Sequence, residues 1–140
     1  MEKLIEEINS VIVRNELDFT LLERIEAGDI YDKLNQSFPI NYNQRWLWEN
    51  ENISLRFSYE EGNDWSSALG EALNDFDDKI LFIPTDDEFF PWKIFEGEKR
   101  QLMELLEDLY YFEYFVTDRS FQKIVFDNHH NEIIVMKCIT

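Results

Sequence analysis

The sequence predicts an α+β fold: a single domain built on an antiparallel or mixed sheet of about six to seven strands, with helices packed largely on one face. Three observations carry this. Apolar residues recur at helical spacing in several stretches, first as Leu4, Ile5, Ile8, Val11 and Ile12. Between them lie short runs with a period of two, clearest where Ile53, Leu55, Phe57 and Tyr59 alternate with polar residues. The C-terminal part then holds three aromatic or β-branched runs, 111–117, 121–126 and 133–136, parted by two polar punctuations. That is the pattern of a three-stranded antiparallel meander.

Taken in order, residues 2–14 form one helical face. Thr20 and Glu23 have the spacing of a capping box, which predicts a second helix starting near Leu21. Leu22 and Ile25 share a face of it, whereas Ile30 and Leu34 have drifted around the wheel. Gly28 between the pairs predicts a break or kink, and Pro39 ends the segment. Residues 1–38 thus read as an N-terminal helical part and 43–138 as the sheet-containing part. Residues 44–49 and 53–59 predict two strands, closed into a hairpin by Asn50, Glu51 and Asn52. Asp64 is a candidate N-cap for a helix with Trp65, Leu69, Ala72, Leu73 and Phe76 on one face. A strand at 79–83 is stopped by Pro84, and another is expected at 92–95. Gly97 precedes a helix bearing Leu102, Leu105, Leu106 and Leu109. The meander strands are apolar at nearly every position, which places them centrally or under cover on both faces.

The 140 residues include 30 acids and 13 Lys or Arg, a formal net charge of −17. The charge is uneven: residues 60–98 hold 12 acids against two bases. Direct nucleic-acid binding and attachment to anionic membranes both need the opposite sign. A basic protein partner would be attracted and steered. Cys138 is the single cysteine, which excludes an internal disulfide and a cysteine-based zinc site. The start of the chain lacks the shape of a signal peptide and no apolar run approaches a membrane span, so a cytoplasmic protein is expected.

Conventional side-chain chemistry has few places to reside. His129 and His130 are the only histidines, in an Asn-His-His-Asn turn with Asp127 and Glu132 nearby. Converging in a turn, these four are a candidate metal site, although adjacent histidines on a strand point opposite ways. Phosphate loops, nucleophile elbows and zinc-protease motifs are absent, so no catalytic residue and no cofactor are expected. The second candidate lies in the acidic middle, where Asp86, Asp87 and Glu88 precede Phe89, Phe90 and Trp92. Carboxylates beside aromatic anchors are what a protein-binding loop offers a basic partner. Trp46 and Trp48 supply a further aromatic cluster, suited to closing a core edge or to self-association.

Trp46, Leu47, Trp48 and Glu49, together with Glu113, Tyr114 and Phe115 and the turn from Asp127 to His130, carry a resemblance over residues 40–138. The chain resembles a group of small, acidic, uncharacterised bacterial proteins with an early Trp-x-Trp-Glu segment and a late Asn-His-His turn. Proteins of this kind look similar to immunity proteins of bacterial toxin systems. The resemblance departs from the best-known immunity superfamily, because its Gly-rich central motif is not found here. It implies no active site. The expected function is therefore that of a non-enzymatic interaction protein, an immunity or inhibitor protein occluding a basic partner such as a toxin domain. The alternatives are a hydrolase or metal-binding protein using the His129–His130 turn, and a homo-oligomeric structural module.

Overall fold

A computed structural model describes residues 2–38, 53–58, 65–85, 92–109, 112–127 and 132–137. The predicted strand at 44–49, its hairpin turn and the Asp64 cap lie outside these residues. Helix α1 spans Glu2–Arg14 and buries Ile8, Val11 and Ile12, the face its periodicity predicts. It ends in a Schellman turn: the Leu17 amide donates to the Ile12 carbonyl at 2.9 Å and the Glu16 amide to Val13 at 3.3 Å. Glu16 takes the left-handed conformation there, with φ 53°. Leu17 is buried in the contact that usually accompanies this turn.

The next segment departs from expectation. Phe19–Leu21 is a short strand, β1, and helix α2 runs over Arg24–Ser37. Thr20 is therefore no helix cap; it pairs with Glu96 in the sheet, and Glu23 takes the N-cap position without a side-chain bond. Strand pairing captures the backbone that the capping box would have used. A strand also stands inside the part read as helical. Helix α2 continues without interruption through the exposed Gly28. Its buried stripe is Ala27, Ile30, Tyr31 and Leu34, at i, i+3, i+4 and i+7, while Ile25 faces solvent.

The remaining elements are β2 (Ile53–Ser58), α3 (Trp65–Ala72), β3 (Lys79–Pro84), β4 (Phe95–Glu98), α4 (Leu102–Glu107), β5 (Tyr114–Thr117), β6 (Lys123–Asp127) and β7 (Glu132–Lys137). Residues 92–94, expected in a strand, lead into β4 without joining the ladder, and a 3-10 turn at Lys99–Gln101 precedes α4. Among the described residues the strands form one seven-stranded sheet in the order β1-β4-β3-β5-β6-β7-β2. Every pairing is antiparallel, and β5, β6 and β7 are the expected meander.

Alternation splits the sheet's side chains between two cores. Ile80 and Phe82, Tyr114 and Val116, Val125, Ile133 and Val135 point to the face shared with α1, α3 and α4. Leu81 and Ile83, Phe115, Ile124 and Phe126, Ile134 and Met136 point to the other, which α2 covers. Among the described residues, three of the four α-helices thus lie on one face. Both faces being buried, the central strands need no polar residue and read as continuous apolar runs.

One position shows how tightly the sheet is assembled. A Cβ at Gly97 would fall against the Asp18 carbonyl and the Phe19 ring, well inside van der Waals contact. Replacing Gly97 with Ala is expected to cost about 2–4 kcal/mol in urea unfolding, because backbone cannot move aside. Gly28→Ala, with open space around its Cβ, is expected to stabilise by about 0.5–1 kcal/mol in the same measurement.

Candidate protein-binding surface

The register places charged residues of both signs together at one end of the sheet. There Lys79 pairs with Glu98, and Lys123 with Lys137. The turns at this end carry Lys99, Arg100 and Arg119 beside Asp77, Asp78 and Asp118. At the opposite end Pro84 pairs with Tyr114, Tyr114 with Asp127, and Ser58 with Glu132. Glu113 adjoins it, its carbonyl accepting from the Thr85 amide at 3.0 Å. From this second end the chain passes into 59–64, 86–91 and 128–131. These lie outside the described residues, and their sequence contains Glu60, Glu61, Asp64, Asp86, Asp87 and Glu88 but no Lys or Arg.

Three cations at this mixed end, Lys99, Lys123 and Arg119, bind the chain itself. Lys99 Nζ donates to the Phe76 carbonyl at 2.7 Å, in the turn that follows α3. Lys123 pairs with Asp75 and lies 5.1 Å from the centre of the Phe76 ring. Asp118, nearly fully buried, accepts from the backbone amides of Asp77 and Ser120 and from the Ser120 hydroxyl. The β5–β6 turn is thereby tied to the turn after α3. Arg119 Nε and Nη2 grip Glu96 at 2.7 and 3.0 Å, and Nη2 also reaches Glu26 on α2 at 3.0 Å.

The Arg119 hydrogen bond holds the Glu96 carboxyl below its ordinary value against a smaller opposing effect of burial, with the charges of Arg119 and Lys79 assisting. The same hydrogen bond from Glu96 raises the Arg119 guanidinium further. Folded Glu96 therefore binds its proton more weakly than unfolded Glu96. Stability from the pair is present above the ordinary value of 4.5 and is lost as pH falls through the depressed one. Arg119 is partly exposed, which screens the pair. Glu96→Gln is expected to cost about 0.5–1 kcal/mol at pH 7. Urea unfolding at successive pH values should show the gap from the parent closing as pH drops below 4.5.

The predicted site residues fare differently. Asp127, 1% exposed, accepts the Tyr114 hydroxyl at 2.8 Å. Glu132 opens β7. His129 and His130 lie outside the described residues, and among the described residues no three His, Cys, Asp or Glu are grouped to hold a metal ion. Asp86, Asp87, Glu88, Phe89 and Phe90 also lie outside them. Trp92 is placed, and it is 7% exposed. Its ring packs edge-on against Phe115 and Tyr31, and its carbonyl accepts the Tyr31 hydroxyl at 2.7 Å. The aromatic expected to anchor a partner is in the second core, because the sheet face that α2 covers needs a large apolar group there. The topology nevertheless relates the two predicted loops: the strands leading into 86–91 and 128–131 end on either side of Tyr114.

A family profile described as a family of unknown function, DUF6756, matches residues 1–140. The chain belongs to this family. No curated protein and no solved structure matches it. Among the described residues no helix is long and apolar enough to cross a membrane. The buried Tyr114–Asp127 pair is the structural floor of the acidic end. Tyr114→Phe removes a hydroxyl donor from a buried carboxylate and is expected to cost about 1–3 kcal/mol by chemical denaturation. A loss below the scatter of surface variants would show that the bond does not support this end.

Proposed function

We propose that this chain is a non-enzymatic interaction protein that occludes a basic partner through the acidic end of its sheet. The observation that supports this is the sequence of the segments that leave one end of the sheet: β2, β3 and β6 lead into 59–64, 86–91 and 128–131, which contain six acids and no Lys or Arg. At the opposite end Lys99, Lys123 and Arg119 are engaged by the chain's own carbonyls and carboxylates. A field of one sign at one end steers a basic partner and orients it. Asp86, Asp87 and Glu88 would pair with partner Lys and Arg or occupy positions meant for substrate phosphates. Phe89 and Phe90 would supply the apolar anchors, a role from which the buried Trp92 is withdrawn. The finer reading is an immunity-type inhibitor in a bacterium, with a toxin domain as the partner and the cytoplasm as the compartment.

The triple variant Asp86→Asn, Asp87→Asn, Glu88→Gln tests this. With a captured basic partner, its association rate at low ionic strength should fall about tenfold or more, and the salt dependence should flatten. Its unfolding midpoint should stay within about 0.5 kcal/mol of the parent's. Retention of no basic protein from a host lysate at low salt would sink the proposal.

A further inference from the structure

We propose that the outer edge of β1 receives an extended, basic segment of the partner as an added strand. The inference rests on the basic-partner reading and says how that partner is held. β1 ends the sheet order, so among the described residues no strand pairs with its outer side. Its register on β4 is regular: Phe19, Thr20 and Leu21 lie opposite Gly97, Glu96 and Phe95. The flanking bonds from Glu98 to Asp18 and from Leu22 to Ile94 fix which groups face inward. With that phase, Thr20 bonds to β4, and Phe19 and Leu21 turn their N–H and C=O groups to the outer side.

The two edges of the sheet differ in how they meet this exposure. β2, the far edge among the described residues, carries a register irregularity between Ile53 and Leu55, a device that discourages strand addition. β1 has neither a bulge nor a proline nor a lysine. Leu21 is instead 37% exposed, and Ile25 in the first turn of α2 is 81% exposed. Among the described residues, only Val13 joins them as an exposed large hydrophobic.

Charge selects the occupant. Glu16, Asp18 and Glu23 flank β1 and are exposed, and Arg24 is the one base between positions 16 and 24 of the chain; Lys93 and Arg100 follow on the neighbouring β4 side. Glu26 is already engaged by Arg119. A second copy of a chain with net charge −17 would bring like-charged edges together. An incoming strand with Lys or Arg at alternate positions and apolar residues between them satisfies both requirements. Main-chain bonds to Phe19 and Leu21 would give it affinity, and the flanking carboxylates its preference. Leu21 also pairs with Phe95, which pairs with Phe82, so β1 terminates at the same end of the sheet as Pro84, Tyr114 and Asp127. A partner approaching the acidic end meets this corner.

The probe is the acetylated, amidated peptide Val-Lys-Val-Arg-Val-Lys-Val, titrated into the isotope-labelled full chain at low ionic strength. Amide exchange and chemical shifts are followed by NMR. Protection should appear at Phe19 and Leu21. Methylation of alternate backbone nitrogens in the peptide, which keeps its charge, should weaken binding about tenfold or more. Leu21→Ala should weaken it several-fold without shifting the unfolding midpoint, and a Val-Glu counterpart should not bind. Perturbation confined to Glu113, Asp127 and Glu132, indifferent to N-methylation, would overturn the edge inference and leave the acidic-end reading standing. Equal protection by a Val-Ser peptide would overturn the basic character of the partner and with it the underlying reading. Protection of Phe19 and Leu21 that rises with protein concentration in the absence of peptide would assign the edge to a second copy and overturn the proposal. So would the absence of any peptide binding.

Discussion

The structure depends on the burial of β5 on both of its faces. All four of its residues, Tyr114 to Thr117, are buried, and alternate side chains belong to different cores. A strand in that position must be covered twice. The helices α1, α3 and α4 cover one side and α2 the other, and the remaining strands extend the sheet far enough to seat them. Phe82, Phe95, Phe115 and Phe126 are fully buried around this strand. Each such ring contributes apolar burial and ring packing that no exposed charge pair on this surface approaches.

With cohesion supplied by the two cores, the charged residues are free to be arranged for other ends. The cations of the C-terminal region join turns to one another. Lys99 and Lys123 bind the turn after α3, and Arg119 joins the β5–β6 turn to β4 and α2. The opposite end is not without bases either: Lys93 is exposed just before β4, and Arg56 lies on β2 two positions before Ser58. A net charge of −17 would alone be a statement about solubility.

Much of the architecture was legible in the residues. The face of α1, the helix beginning at Trp65, the leucine stripe of α4 and the C-terminal meander all follow from strong periodicity and clear polar punctuation. What was not legible has local physical reasons. Thr20 and Glu23 have the spacing of a cap, but the pairing of Thr20 with Glu96 spans 76 positions of sequence and leaves no nearby signal. The turn at Glu16 lacks the glycine or asparagine that announces a left-handed residue, since Asn15 stands one position early. Gly28 suggested a kink, yet a glycine on the exposed side of a helix held by Ala27, Ile30, Tyr31 and Leu34 need not bend it. Trp92 read as a binding aromatic because composition cannot tell an anchor for a partner from one for the protein's own core.

By itself the sequence determined the α+β class, the apolar meander and an acidic chain unsuited to phosphate backbones, since periodicity and charge sum over local residues. Only the tertiary structure decided which strand stands at the edge, that Trp92 and Asp127 are buried, and which carboxylates Lys123 and Arg119 engage. Those outcomes depend on register between strands far apart in the chain. Register is set by the sum of both cores, and no single segment carries that information.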